Sequence, residues 1–265
     1  MCIYHRVKIF RLILGVVLIS NLLGCYLINE KIDEKVSEKL NISTNDSILP
    51  TKHFEVMENI EVIDSLEQIL IDAGLVDIQT MDASILIDLK YSSIHNFLNE
   101  DVYGGLNKVY LQPSITEDLA KCQQKLKEID STLTLLVYDG VRPRSVQQKM
   151  WDILDMPIGE KVKFVSNPKN GSIHNYGAAV DLTISKLDGS ALDMGADFDD
   201  IRRIAYPRLE SQFLASGELT QEHVDNRKLL RKVMAAGGFY NIQTEWWHFN
   251  RYNRNKAKEM FEIVE

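Results

Sequence analysis

The chain has 265 residues, of which 45% are hydrophobic and 26% charged, a balance typical of a globular protein. A chain of this length can bury a core large enough to fold without disulfides or an obligate protein partner. Its formal net charge of -8 disfavours nucleic acid as a partner, because binding phosphates requires a basic surface.

Residues 1–24 have the features of a signal peptide. A basic start precedes an almost wholly apolar run over residues 12–24. This run is shorter than the roughly 20 residues that a membrane-spanning helix needs, and it suits the apolar region of an export signal. We therefore expect the rest of the chain to lie outside the cytoplasmic membrane.

The export signal ends in Leu22-Leu23-Gly24-Cys25, which resembles the bacterial lipobox. The resemblance implies cleavage before Cys25 and attachment of a lipid to its thiol. The alternative is an uncleaved membrane anchor in which Cys25 is incidental. The first interpretation predicts an exported, membrane-anchored bacterial lipoprotein of the periplasm or cell surface.

Residues 25–55 are predicted to be a flexible tether, because they are mainly polar and mixed in charge. Ordered patterning begins near residue 58, and we assign residues 56–265 to a single domain. Cys122 is the one cysteine in that domain, so it cannot form an intramolecular disulfide there. Its helical spacing from Leu119 and Leu126 predicts a small core residue rather than a nucleophile.

Helices and strands are predicted to mix without a regular βαβ repeat. In chain order they are a helix with Ile63, Leu66, Ile69 and Leu70 that ends at Gly74, a strand at 84–91, a helix from Ser114 or Thr116 to Ile129, a strand over Leu133–Tyr138, a helix from Pro143 to about Leu154, a strand over Ala178–Ile184, a helix with Leu229, Leu230, Val233 and Met234 that ends at Gly237-Gly238, and a last strand over Trp246–Phe249. This mixture predicts an α+β fold in which helices flank a small antiparallel sheet.

The first segment that carries chemistry runs from Gly171 to Asp181. Asp181 lies inside a predicted strand of small and apolar residues. An ionised carboxylate in such a strand is costly unless it is paired or bound to a metal. Gly177 gives the preceding turn the freedom to bring His174 back beside Asp181.

The second segment is Glu245-Trp246-Trp247-His248-Phe249, in which two polar side chains interrupt an aromatic run. Residues three apart face opposite sides of a regular strand. Glu245 and His248 can therefore serve one metal only if the strand is bulged or bent, or if Glu245 lies beyond its end. We predict such a distortion.

Two imidazoles and one carboxylate match a catalytic zinc site that keeps one position open for water. On this interpretation His174, Asp181 and His248 bind the metal, and Glu245 remains free to take a proton from the water. Taken singly, a buried histidine or a strand aspartate is more often structural. The joint pattern favours the metal site.

These motifs resemble a known family. The spacing of Ser172, His174, Gly177, Ala179 and Asp181, followed by Glu245-x-x-His248, is similar to the signature of the D-alanyl-D-alanine metallopeptidase clan. Within that clan, Glu-Trp-Trp-His resembles the VanX-type D-alanyl-D-alanine dipeptidases. Further similar segments cover Asp88–Tyr91, Asn96-Phe97, Tyr138–Pro143, Met194–Asp199, Asn226-Arg227 and Gly238-Phe239. The resemblance spans roughly residues 60–252.

The resemblance implies one Zn²⁺ per chain, bound by His174, Asp181 and His248. It implies that Glu245 is the base and later the proton donor, and that Arg142 stabilises charge on the scissile carbonyl oxygen. The residues implied to hold the ends of a dipeptide are Tyr91, Ser172 and Asp199. Asp139 would orient Arg142 or cap the following turn. Asp199 has a structural alternative, as the N-cap of a helix over residues 200–205.

The implied activity is hydrolysis of D-alanyl-D-alanine to free D-alanine, in turnover of cell-wall dipeptide or in glycopeptide resistance. The chain departs from the resembled pattern at Val141, which replaces an aromatic residue, and at Asn175-Tyr176, which replaces a Ser-Arg pair. These departures question the size of the substrate. Two alternatives remain open: a peptidoglycan D,D- or L,D-carboxypeptidase or endopeptidase with the same zinc site, and a non-catalytic lipoprotein that binds wall peptides.

Overall fold

The structure is a computed structural model that describes residues 65–265. The predicted signal peptide, the predicted lipidation site at Cys25 and the predicted tether of residues 25–55 lie outside the described residues. None of the helices in the described part of the chain is long and apolar enough to cross a membrane.

Helices and strands mix along the chain. The helices are α1 (Ser65–Asp72), α2 (Pro113–Ile129), α3 (Arg144–Ile153), α4 (Ile158–Lys161), α5 (Glu210–Ser216), α6 (Gln221–Ala236) and α7 (Arg254–Met260). The strands are β1 (Val76–Asp77), β2 (Leu86–Ile87), β3 (Tyr110–Leu111), β4 (Leu133–Asp139), β5 (Ala179–Lys186), β6 (Tyr240–Asn241) and β7 (His248–Asn250). Short 3₁₀ turns cover Ile78–Thr80, Lys90–Ser92, His174–Tyr176, Arg203–Ala205 and Pro207–Leu209.

The main sheet has five strands in the order β2-β4-β5-β7-β6, and β1 pairs separately with β3. The predicted mixture of helices and sheet is confirmed, but the prediction of a wholly antiparallel sheet is wrong for the main sheet. β2 and β4 are parallel, whereas the other pairs are antiparallel. The connection from β2 to β4 contains α2, and parallel neighbours require a crossover of this kind. A two-residue strand was too short to reveal this crossover in the sequence pattern.

The core forms around β4 and β5. Every residue of β4 is buried, as is all of β5 up to Ser185. The long periodic segments were predicted correctly as α2, β4, β5 and α6. The strand expected at 84–91 is limited to β2, because the chain then turns inward and buries Tyr91.

The prediction that Cys122 is a core residue is confirmed. It is fully buried on α2, and its Sγ lies 3.5 Å from the carbonyl oxygen of Met234 on α6. Burial raises the pKa of its thiol to about 12. A thiol with that pKa is protonated at neutral pH and is a poor nucleophile.

Replacing Gly237 with alanine is expected to destabilise the protein by about 1–3 kcal/mol, because overpacking forces a close helix contact apart. A Cβ there would overlap the carbonyl oxygen of Asp118 and lie 2.5 Å from Cys122 Sγ. Thermal unfolding measures the effect, at about 2–4 °C in Tm per kcal/mol for a chain of this size. The matched control is Gly159→Ala on α4, where a Cβ meets no atom within 4 Å among the described residues. Equal Tm values for the two variants would contradict the close contact.

Candidate metal centre and active site

The three predicted metal ligands come from two adjacent strands and the turn before them. Asp181 on β5 pairs directly with His248 on β7. His174 opens the short turn His174–Tyr176, which ends at Gly177. Gly177 has φ 62°, in the left-handed region that favours glycine, and this lets the chain reverse into β5. The local backbone therefore brings His174 back beside Asp181.

The ligand atoms of these residues converge. His174 Nε2 lies 3.1 Å from His248 Nδ1, and His248 Nδ1 lies 2.9 Å from Asp181 Oδ1. His174 Nε2 is 3.4 Å from Asp181 Oδ2. His174 and Asp181 are each only 3% exposed. Within residues 65–265, this trio forms a cluster whose ligand atoms all lie within 4.8 Å of one another.

Each imidazole has one nitrogen that faces away from the other ring, called the outer nitrogen here, and one that faces the other ring, called the inner nitrogen. The partners of the outer nitrogens indicate that a cation fits between the two rings. His174 Nδ1 lies 2.7 Å from the carbonyl oxygen of Gly140, and His248 Nε2 lies 2.9 Å from Asn250 Oδ1. Both oxygens accept, so these outer nitrogens carry the hydrogens and the inner nitrogens present lone pairs. Two lone pairs 3.1 Å apart repel each other unless a proton or a metal ion lies between them. The donor set therefore suits a metal ion.

The charges of the trio support the same conclusion. Burial lowers the pKa of His248, but the adjacent carboxylate of Asp181 outweighs this effect and raises the pKa to about 9. Burial raises the pKa of Asp181, but His174 and His248 outweigh it and hold the pKa well below the usual range. Asp181 is thus an anion at neutral pH, in a site that stabilises positive charge next to it.

Glu245 lies before β7 rather than within it. The strand begins at His248, so the predicted distortion is confirmed in the form where the glutamate lies beyond the strand's end. Glu245 Oε2 is 3.9 Å from His248 Nδ1, and its side chain remains 39% exposed. Asn241 Nδ2 donates to the carbonyl oxygens of Glu245 and His248, each at 2.8 Å, which holds this bend. Glu245 therefore faces the trio of His174, Asp181 and His248 without belonging to it.

The environment of Glu245 suits a proton acceptor. Partial enclosure by the cavity walls raises the pKa of the carboxyl, although the side chain keeps some contact with water, and the positive charge of His248 opposes this shift. A carboxylate with a raised pKa is a stronger base. It accepts and releases a proton most readily when its pKa lies close to the working pH. The carboxyl can therefore exchange a proton with a group held beside the trio.

Arg142 is held by Asp139, which is one of the two roles expected for that aspartate, whereas the helix that follows has no side-chain cap. Asp139 Oδ2 accepts from Arg142 Nε at 3.1 Å and from its Nη2. Asp139 Oδ1 accepts from the backbone N–H of Gly140 at 2.9 Å and from the hydroxyl of Tyr103 at 2.5 Å. The guanidinium also lies 5.1 Å from the ring centroid of Tyr91. Sequence reasoning missed Tyr103, because nothing in the local pattern links it to a partner 36 residues away.

The residues expected to hold the ends of a dipeptide lie in the same cavity. Tyr91 donates its hydroxyl to Asp199 Oδ2 at 2.8 Å, and burial raises the pKa of Asp199 well above its usual range. The N-cap alternative for Asp199 is wrong, because the next helical turn is Arg203–Ala205, which follows Arg202. Asp199 has φ 60°, a strained conformation for a residue other than glycine, and such strain is concentrated at functional sites. Ser172 is buried and lies two positions before His174 in the sequence.

One cavity of about 450 Å³ is lined by all of the residues predicted to bind metal, act in catalysis or hold the substrate. They are Tyr91, Arg142, Ser172, His174, Asp181, Asp199, Glu245 and His248. Apolar side chains, including Phe97, Phe164 and Trp247, complete the lining. A cavity of this size, with a few convergent polar groups, is typical of a small-molecule site.

Comparisons with known proteins agree with this geometry. The Peptidase_M15 family model, described as D-ala-D-ala dipeptidase, matches residues 71–265. The D-alanyl-D-alanine dipeptidase of Escherichia coli (strain K12) is 33% identical over 175 residues, which cover 66% of this chain and 83% of that protein. The D-alanyl-D-alanine dipeptidase of Enterococcus faecium is 28% identical over 179 residues, which cover 61% of this chain and 83% of that protein.

A solved structure of the LdcB LD-carboxypeptidase is 17% identical to this chain, and the match covers 57% of this chain and 63% of that one with a TM-score of 0.35. The family model and the Escherichia coli relative are sufficient by themselves to assign the chain to a family. The model covers most of the chain, including every predicted site residue from Tyr91 to His248. The chain therefore belongs to the M15 family of D-ala-D-ala dipeptidases and is a metallopeptidase.

Proposed function

We propose that this chain is a zinc-dependent dipeptidase that hydrolyses D-alanyl-D-alanine to two molecules of free D-alanine. The observation that carries the proposal is the convergence, in one cavity, of the three ligand atoms with the free carboxylate of Glu245. The relatives that bear the name D-alanyl-D-alanine dipeptidase support the choice of substrate.

Zinc is the metal that this donor set favours. Two imidazoles and one carboxylate, His174, His248 and Asp181, are a common ligand set of catalytic zinc, which keeps one position for water. When bound, zinc polarises a carbonyl group and lowers the pKa of a water molecule. Cobalt or nickel would fit the same ligands, so metal analysis of protein purified without added metal distinguishes them.

The protein's own residues would divide the remaining work. Glu245 takes a proton from the attacking water and then delivers it to the nitrogen of the departing amine. Arg142 donates to the negative charge that develops on the carbonyl oxygen, because Asp139 holds its guanidinium in place. Asp199, backed by the hydroxyl of Tyr91, offers a carboxylate for the free ammonium group of a dipeptide.

The test measures D-alanine release by the purified protein from D-alanyl-D-alanine and, in parallel, from an intact muropeptide that ends in D-alanyl-D-alanine. Release from the dipeptide alone supports the proposal. Release from the muropeptide alone would replace it with the peptidoglycan carboxypeptidase or endopeptidase alternative. Bound zinc without turnover of either compound would favour a binding lipoprotein.

Replacing Tyr103 with phenylalanine is expected to lower kcat about tenfold, because a hydrogen bond to a charged group contributes about 1.5–3 kcal/mol. The change removes the hydroxyl that holds Asp139, and Asp139 in turn positions Arg142. KM and zinc content should stay the same, which steady-state kinetics and metal analysis measure. Tyr240→Phe, at an exposed tyrosine, is the matched control and should leave kcat unchanged. Loss of zinc from the Tyr103 variant would indicate a general structural role instead.

We also propose that the protein is exported and anchored to the membrane by a lipid on Cys25. The basic start, the apolar run and the sequence Leu22-Leu23-Gly24-Cys25 support this proposal. An enzyme outside the cytoplasmic membrane would act on dipeptide derived from the wall rather than on cytoplasmic precursor. Cell fractionation tests the proposal: Cys25→Ala should move the protein out of the membrane fraction, and a wild-type protein found in the cytosol would contradict it.

A further inference from the structure

Three cationic side chains line the cavity, namely Arg142, Lys163 and Arg254. Arg142 is paired with Asp139, and Lys163 Nζ lies 2.6 Å from Glu160 Oε2. Arg254 forms no ion pair with any carboxylate among residues 65–265, and its partners are backbone carbonyl groups. It is therefore the cation of the cavity whose charge is not balanced within the described chain.

Backbone carbonyl groups hold the guanidinium of Arg254 next to Ser172. Arg254 Nη1 donates to the carbonyl oxygens of Asn170 at 2.6 Å and Gly171 at 2.8 Å. Gly171 immediately precedes Ser172 and has φ 68°, so the carbonyl orientation depends on a conformation that favours glycine. Nε and Nη2 of Arg254 donate to no group in the described part of the chain, which leaves two adjacent donors for a ligand.

Ser172 itself has no free donor for a substrate carboxylate. Its hydroxyl donates to Gln147 Oε1 at 3.0 Å, and its backbone N–H donates to Asn175 Oδ1 at 2.6 Å. Gln147 Nε2 donates to the carbonyl oxygen of Ser166 at 2.7 Å, which fixes Oε1 as the acceptor that faces Ser172. Asn175 Nδ2 also donates to Gln147 Oε1, at 2.9 Å. A carboxylate that binds beside Ser172 therefore needs a donor from another residue.

We propose that Arg254 binds the free α-carboxylate of the substrate through Nε and Nη2. This inference rests on the proposed function and specifies the substrate class of the same site. A guanidinium presents two parallel N–H groups that match a carboxylate, and such pairs are stronger than neutral hydrogen bonds. A peptide that continues past the second residue has no carboxylate at this point. Arg254 thus restricts hydrolysis to the bond before a free C-terminal residue.

The test compares D-alanyl-D-alanine with its C-terminal amide as substrates of the full-length protein. Arg254→Gln is expected to raise KM for the acid about 10- to 100-fold, the effect of losing a charge-assisted contact. KM for the amide should be the same in the wild type and the variant, because the amide cannot pair with the cation. Arg254→Lys keeps the charge but loses the two parallel N–H groups. Its KM for the acid should therefore lie between those of the wild type and Arg254→Gln.

Two controls separate this role from general effects. Lys163→Gln removes another cation at the cavity, one already paired with Glu160, and should change neither KM by more than about threefold. Zinc content and Tm of the Arg254 variants should match the wild type, which shows that residues 170–174 keep their conformation. Calorimetric binding of the acid and of the amide, measured in a Glu245→Gln background in which hydrolysis is blocked, provides the same comparison without turnover.

Failure of the carboxylate assignment for Arg254 and failure of the proposed dipeptidase activity give different results. A wild type that binds zinc but does not cleave D-alanyl-D-alanine contradicts the proposed function, and calorimetry then still decides whether Arg254 distinguishes acid from amide. Equal losses for the acid and the amide in Arg254→Gln would overturn the carboxylate assignment. A wild type that binds or cleaves the amide as well as the acid would overturn it too.

Discussion

Replacing Glu245 with glutamine is expected to lower kcat for D-alanine release by about 10³-fold, within the range that a positioned general base contributes. Glutamine has nearly the same shape but cannot accept a proton from water. Glu245 lies outside the trio of proposed metal ligands, and its Oε2 is 3.9 Å from His248 Nδ1. The variant should therefore keep its full zinc content, measured by metal analysis of the same samples used for kinetics.

Asp200→Asn is the matched control for Glu245→Gln. Asp200 is another carboxylate that lines the cavity, but both of its oxygens accept from Arg202. Its replacement should change kcat by less than about threefold, because the pair is held by an arginine whose side chain is 74% exposed and contributes little. A Glu245→Gln variant that keeps more than a tenth of the wild-type kcat would show that another group accepts the proton.

Replacing Asp181 with asparagine is expected to weaken zinc binding by at least about 100-fold, more than the loss of an outer-shell partner of a metal ligand. Asp181 is the one anion of the trio, and it is buried between two imidazoles that pair with it. An amide oxygen carries no charge to offset that of the metal. Competition with a chelator of known affinity measures the change, and activity at limiting zinc should fall in parallel.

Asp199→Asn provides the control for Asp181→Asn. Asp199 is a second carboxylate of the same cavity, and its partner is the hydroxyl of Tyr91 rather than an imidazole. Its replacement should leave zinc affinity unchanged while KM for the dipeptide rises. If zinc binds equally well to the Asp181 and Asp199 variants, Asp181 is not a metal ligand.

The metal trio could be proposed from the sequence because its signals are local. His174, Gly177 and Asp181 lie within eight positions, and Glu245 and His248 lie within four. Buried charge in apolar segments has few explanations, so residue type and spacing were informative by themselves. Long periodic segments such as α2 and β4 were equally clear, since burial imposes the same spacing on every turn or strand.

The groups around the trio were decided by tertiary structure. Tyr103 meets Asp139 across 36 positions, and Gln147 meets Ser172 across 25. Arg254 lies 83 positions beyond the carbonyl group of Gly171 that holds it. No local pattern encodes such pairs, because they depend on which elements pack together.

The sequence alone therefore determined the kind of chemistry in this protein, since metal-binding and proton-accepting side chains are recognisable by type and spacing. The parallel pairing of β2 with β4 and the rejection of the N-cap role for Asp199 came only from the folded chain. So did the finding that the hydroxyl of Ser172 is already engaged by Gln147. Which donor pairs with which acceptor depends on the groups that the fold brings close together. The pairing in turn determines which side chains remain free to bind a substrate.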